Sequence, residues 1–126
     1  MFVYGIDHVQ LAIPPGTEHR ARAFYVDVLG LTEVPRPDHL RSRGGAWFEA
    51  EGLRLHLGVD KDFVPARKAH PAFLVRGLNE LISRCEKNGC PVHRDMPVEG
   101  FERVYIFDPL ANRIELLEPL ANEGGI

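Results

Sequence analysis

Cysteine is scarce in this chain: Cys85 and Cys90 are the only two among 126 residues. Two cysteines make no disulfide framework, and their spacing matches no zinc-binding pattern. Cys85 falls with Leu78, Leu81 and Ile82 on one apolar helix face, which marks it as a small core residue rather than a catalytic thiol. No apolar run approaches the roughly 18 residues of a membrane span, and the opening MFVYGIDHV lacks the charged start and apolar stretch of a signal peptide. A cytoplasmic protein with no membrane partner is therefore expected. An excess of positive charge is missing too. Fifteen Lys and Arg stand against eighteen Asp and Glu, for a net charge of −3. The signs are interspersed and no basic arm is present, so no nucleic-acid partner is expected.

What is present is ordinary globular material, 44% apolar and 26% charged, which excludes a disordered chain. The length suits one domain, residues 1–126, with a core too small to divide into two independent ones. Within it a repeat is legible. Arg54-Leu55-His56-Leu57 and Arg113-Ile114-Glu115-Leu116 are one short strand written twice, at an offset of 59 residues. At the same offset Trp47 to Gly52 aligns without a gap on Ile106 to Ala111, and Gly30 aligns on Gly89. Upstream, Asp7-His8-Val9 resembles Ala69-His70-Pro71 once a few loop residues are allowed. Each half thus begins with a His-headed strand and ends with a strand carrying His56 or Glu115. A duplicated half-site of this kind can bring metal ligands from two modules together.

Local signals give the same order of elements in both halves. Residues 5–13 alternate about His8 as a strand. Thr17 offers an N-cap for a helix burying Ala21, Phe24, Tyr25, Val28 and Leu29, which Gly30 stops. A short strand follows over 31–34, then a loop with Pro35 and Pro37, then strands near 45–50 and 53–58 joined by a turn at Glu51-Gly52. Residues 60–69 read as the linker. The second half gives a strand at 70–75, a helix at 78–88 and strands near 91–94, 102–107 and 112–117. The expected fold is α+β, two βαβββ modules spanning about 5–59 and 69–119. Alternate strand residues point to opposite faces. Val9, Leu11, Ile13, Leu53, Leu55, Leu57, Ile114 and Leu116 would therefore pack on the helices, leaving His8, His56 and Glu115 on the other face.

This order, with Ile6-Asp7-His8-Val9, Ala23-Phe24-Tyr25-Val26-Asp27-Val28-Leu29-Gly30-Leu31, Phe107-Asp108-Pro109 and Asn112-Arg113-Ile114-Glu115-Leu116, resembles the vicinal oxygen chelate superfamily. That group contains glyoxalase I, the fosfomycin and bleomycin resistance proteins and the extradiol dioxygenases. The resemblance implies curved mixed sheets enclosing a metal and ligand cleft. It also implies one divalent ion, zinc, nickel, manganese or iron(II), held by His8, His70 and Glu115. His56 occupies the place where glyoxalase I has a further carboxylate. It is a candidate fourth ligand and a departure from that enzyme. Two imidazoles and a carboxylate suit a first-row divalent ion with open positions.

The substrate expected from the resemblance is small, oxygen-rich and anionic, chelated through two adjacent oxygens on an ion acting as Lewis acid. Glu115 is the carboxylate available as proton acceptor for a lyase or isomerase of the glyoxalase type. A fosfomycin-type transferase, an extradiol dioxygenase and a metal-free sequestering protein of the bleomycin-resistance type are the alternatives. Arg54 and Arg113 occupy equivalent repeat positions on the ligand face. They either grip a carboxylate or phosphonate or pair with Glu49 and its neighbours. Arg67 and Lys68 offer a positive rim before His70, and Tyr105 and Trp47 are pocket walls or core. His19, His39 and His93 are expected to be solvated, and Glu118 to lie at the surface. Open sheet edges and the resemblance together imply a homodimer.

Overall fold

The computed structural model describes residues 1–121; the last five residues of the expected domain lie outside the described ones. The chain divides into two compact units, Met1–Pro65 and a second beginning at Ala66. The boundary falls inside the stretch expected as a linker.

The first unit runs β1 (Val9–Ile13), α1 (Glu18–Tyr25), β2 (Thr32–Val34), a 3-10 helix (Asp38–Arg43), β3 (Ala46–Ala50) and β4 (Leu53–Val59). Its sheet has the order β1-β4-β3-β2, with β1 parallel to β4 and the other pairs antiparallel. A parallel neighbour demands a long crossover, which α1 and the two intervening strands supply. Ile13, Ala21, Phe24, Tyr25, Val28, Phe48, Leu55 and Leu57 are buried as the core, and the Tyr25 and Phe48 rings lie 5.5 Å apart. Three expectations shift here. β1 begins at Val9, so Asp7 and His8 precede the strand. The helix ends at Tyr25, after which the Val28 and Leu29 amides both donate to the Phe24 carbonyl. That widened turn still buries Val28 before Gly30 reverses the chain at φ +81°. Thr17 stands at the helix start, but its hydroxyl donates to the Pro14 carbonyl at 2.7 Å instead of capping.

The second unit runs β5 (Ala72–Leu74), α2 (Leu78–Lys87), β6 (Phe101–Phe107) and β7 (Arg113–Pro119), with strand order β5-β7-β6. β5 is parallel and β6 antiparallel to β7. The strand expected near 91–94 shrinks to one bridge, His93 to Tyr105, with hydrogen bonds of 2.8 and 2.7 Å. Pro91, which has no N–H to donate, limits the ladder there. Leu78, Ile82 and Cys85 of α2 and Val104, Ile106, Ile114 and Leu116 of β6 and β7 are all buried. A hydrogen bond with Cys90, together with burial, pushes the Cys85 thiol up, in keeping with a core role.

Two carboxylates hold this unit's joints. Asp108 organises the turn between β6 and β7: its Oδ1 accepts the Leu110 and Asn112 amides, each at 2.9 Å, and its Oδ2 accepts the Asn112 side chain at 3.0 Å. Glu118, expected at the surface, accepts the Gly77 and Leu78 amides at 2.8 and 3.0 Å. It thereby satisfies orphan donors at the start of α2, a role no local sequence pattern announces because the two segments are 40 residues apart. The architecture is α+β, two small mixed sheets each with a helix.

Candidate functional site

The strand registers place an equivalent trio in each unit. In the first, β1 pairs Gln10 with His56, and β3 pairs Trp47 with His56. In the second, β5 pairs Ala72 with Glu115, and β6 pairs Tyr105 with Glu115. His8 stands two residues before Gln10, and His70 two before Ala72. His8, His56 and Trp47 therefore correspond to His70, Glu115 and Tyr105. The gapless alignment paired Trp47 with Ile106, and this is corrected by one position. The chain from Tyr105 to its partner Glu115 is longer by one residue than that from Trp47 to its partner His56, and a one-residue slip exchanges the two faces of a strand.

In the second unit, His70 Nδ1 lies 2.8 Å from the Lys68 carbonyl oxygen and Nε2 lies 2.9 Å from Glu115 Oε1. A carbonyl and an ionised carboxylate both only accept, so Nδ1–H donates to Lys68 and Nε2–H to Glu115. Glu115 Oε2 accepts from Arg103 Nη1 at 3.3 Å. The same guanidinium donates to the Tyr105 hydroxyl at 2.9 Å and twice to the Met96 carbonyl. Burial pushes the Glu115 carboxyl up, but hydrogen bonds from His70 and Arg103 and the nearby positive charge outweigh it and leave it below the ordinary carboxylate value. Glu115 is thus a buried anion at neutral pH. The Arg113 guanidinium lies over the Tyr105 ring, 4.1 Å from its centroid, and the His70 ring meets Tyr105 edge-on at 5.2 Å. Tyr105 is a wall of this cluster, and Arg113 is held on that wall.

In the first unit, His8 Nδ1 lies 2.9 Å from Asp7 Oδ2. That hydrogen bond, with the charge of Arg54, holds the Asp7 carboxyl below its usual value, so the ionised acid accepts and Nδ1 is the donor. Arg54 donates to Asp7 Oδ1 at 2.9 Å and lies 4.0 Å from Glu49, the pairing with neighbouring acids that the sequence left as one of two options. His56 is 6% exposed. Its ring stacks on Trp47 at 3.9 Å and 3° on one face and on His8 at 4.0 Å and 21° on the other. Burial first, then the neighbouring His8, pushes the His56 imidazole down, so it is neutral at pH 7. Asp7, His8, Gln10, Trp47, Glu49, Arg54 and His56 line a cavity of about 330 Å³.

Other expected residues fall outside these clusters. Arg67 and Lys68 are exposed on the segment before β5, and Lys68 reaches the cluster through its backbone carbonyl. His19, His39 and His93 are exposed, as expected. Arg103 went unnoticed in the sequence. Its signal was parity on β6, where Arg103 and Tyr105 share a face that the register brings to Glu115. Among the described residues, three or more His, Cys, Asp or Glu side chains nowhere form a ready-made metal cluster.

Both His8 and His70 are nonetheless held as metal-ligating imidazoles are. In each, Nδ1 is engaged by an oxygen acceptor, which orients the ring and leaves Nε2 as the nitrogen an ion could take. Within the second unit, the His70 imidazole beside the ionised Glu115 carboxylate is a donor pair suited to a divalent first-row ion.

Known proteins agree with this architecture. The chain aligns over 95% of its length with 98% of a glyoxalase family protein from Bacillus anthracis, at 42% identity and a TM-score of 0.91. A mutant of the fosfomycin resistance protein FosX from Listeria monocytogenes, solved with Mn(II) and 1S,2S-dihydroxypropylphosphonic acid, matches at 18% identity with a TM-score of 0.77. That match covers 94% of this chain and 95% of the other. A glyoxalase/dioxygenase from Nostoc punctiforme matches at 21% identity and a TM-score of 0.71, covering 89% and 90%. These two likenesses speak to the fold. No curated protein sequence matches the chain. The model of the Glyoxalase/Bleomycin resistance protein/Dioxygenase superfamily matches residues 5–116. With the paired His-headed strands and the β7 carboxylate in their registers, and a match spanning both units, the chain belongs to that superfamily.

Proposed function

We propose that this protein is a divalent-metal-dependent enzyme acting on a small, oxygen-rich anion, with His8, His70 and Glu115 as ligands and Glu115 also as proton acceptor. The observation that carries the proposal is the orientation of the two head imidazoles. Asp7 and the Lys68 carbonyl each take an Nδ1–H, so Nε2 is the nitrogen left for an ion in both; in His70 that nitrogen hydrogen-bonds to the ionised Glu115 carboxylate, and an ion bound there would take the place of the shared proton. The bound ion would supply Lewis-acid stabilisation of negative charge on a substrate held through two oxygens. Arg103 keeps Glu115 anionic and fixed, so that it can take a proton from a carbon or oxygen beside it. Tyr105 and Arg113 wall that position, and the Arg113 charge favours an anionic substrate. The manganese and phosphonate diol held by the FosX mutant are in keeping with both the ion and the substrate class. A homodimer, with ligands drawn from one chain or from two, is part of the same proposal.

Metal analysis of tag-free protein purified without chelator tests this directly. The expected result is close to one divalent ion per chain, restored after stripping and lost in His70→Ala. Less than about a tenth of an ion per chain, unrecovered on reconstitution, would overturn it and favour a metal-free sequestering protein. Assays with a hemithioacetal, an epoxide phosphonate and a catechol then separate lyase, transferase and dioxygenase chemistry.

A further inference from the structure

In this superfamily fold the β4 position of His56 is an obvious place to look for a fourth ligand, yet the ring geometry speaks for a different role. A ligand nitrogen binds its ion in the plane of its own ring, about 2.1 Å away. The His8 and His56 rings are stacked at 4.0 Å and inclined by only 21°. Two such planes meet on the order of 10 Å from the rings, far beyond any coordination distance. One ion therefore cannot lie in both planes while the stack stands. The other face of His56 is closed by Trp47, at 3.9 Å and 3°. The stack is built into the sheet: Trp47 and His56 are direct cross-strand partners on β3 and β4, and His56 is buried. His8 precedes β1 and lies outside its paired register. What holds its ring is the Asp7 carboxylate at the edge and His56 at the face.

We infer that His56 is a positioning residue, a spacer ring that transmits the rigid Trp47 platform of β3 to the ligand His8, and not itself a ligand. The inference deepens the metal-site proposal and rests on it for its consequence. Its geometric part, that the His56 face holds His8, stands independently. The stack needs a flat ring at residue 56, and a nitrogen there is dispensable. Stacking of this kind favours one His8 rotamer over the others.

Two variants separate spacer from ligand: His56→Phe keeps a flat ring and removes both nitrogens, and His56→Ala removes the ring. The readouts are Mn(II) affinity by titration calorimetry, the His8 imidazole C–H signals by NMR, and emission from Trp47, the single tryptophan of the chain. His56→Phe is expected to bind Mn(II) within about threefold of wild type, keep the ring-current-shifted His8 signals and leave Trp47 emission unshifted. His56→Ala is expected to lose about tenfold or more in affinity, in the range of other orienting partners of ligand histidines. Its His8 signals should move toward those of a free imidazole, and its Trp47 emission to the red as one indole face opens to water. Equal loss of Mn(II) affinity in both variants would make a His56 nitrogen a ligand and overturn the inference. Unchanged His8 signals in His56→Ala would overturn it also. If the wild-type protein binds no Mn(II), the metal reading fails alone, and the NMR and emission arms still decide whether His56 holds His8. Should His56→Ala not fold, His56→Phe alone decides on affinity and His8 signals.

Discussion

Replacing Arg103 by Met keeps most of the aliphatic stem and removes the guanidinium, and the structure says what that costs. The guanidinium donates to Glu115 Oε2 at 3.3 Å, to the Tyr105 hydroxyl at 2.9 Å and to the Met96 carbonyl at 2.8 and 3.1 Å. The Arg103 and Glu115 side chains are 14% and 11% exposed. A hydrogen bond to a charged group contributes about 1.5–3 kcal/mol when dry, whereas an exposed pair contributes about 0–1 kcal/mol. The Glu115 contact is long, and the Met96 end of the network is exposed. Glu115 also keeps His70. We therefore expect Arg103→Met to lose about 2–3 kcal/mol, read by urea unfolding as a lower midpoint at an unchanged m-value. Part of that loss is the anion left without its cation, so in a Glu115→Gln background the same substitution should cost about 1 kcal/mol less. A loss below about 0.5 kcal/mol, or an equal loss in both backgrounds, would refute the claim that Arg103 anchors the Glu115 carboxylate.

The Asp108→Ala substitution removes three buried hydrogen bonds from the turn between β6 and β7. It should destabilise the protein by about 2–4 kcal/mol, measured by the same unfolding assay, while Asp108→Asn, which can still accept at one oxygen, should cost less. Glu118 has a depressed carboxyl pKa because it accepts the Leu78 and Gly77 amides. Its contribution is therefore fully present above the unfolded value near 4.5 and is lost as pH falls through the lower folded value. Glu118→Gln should accordingly lower stability at neutral pH and narrow its gap to wild type below about pH 4.5. A gap that is constant from pH 7 to pH 3 would contradict the capping role.

The duplicated strand was the most legible part of the molecule, because period-two burial writes itself into short apolar sequences: Leu55 and Leu57, then Ile114 and Leu116, are buried as their alternation requires. The same parity put His56 and Glu115 on the face away from the helices. It did not reveal that a longer turn makes Tyr105, and not Ile106, the counterpart of Trp47. Turn length is invisible to a gapless comparison, and one residue is enough to exchange faces. Glu118 and Arg103 were missed for another reason. Their partners, the amides of Gly77 and Leu78 and the carboxylate of Glu115, are set by the pairing of distant segments, so Glu118 carries no local mark and Arg103 only the parity it shares with Tyr105. Pro91 did carry a local warning against the strand expected at 91–94, since a residue without an N–H weakens any ladder it enters. His56 had the most ambiguous signature. Its position marked it as a donor, and only the two rings stacked against its faces show what else it can do.

That His8, His70 and Glu115 together hold one divalent ion is open to direct test. Calorimetric titration of chelator-stripped, tag-free protein with Mn(II), repeated on His8→Ala, His70→Ala and Glu115→Gln, tests it most directly. One ion per chain is expected in the wild type, with a loss of affinity of about 100-fold or more in each variant. Wild-type-like binding in His8→Ala or Glu115→Gln would contradict it.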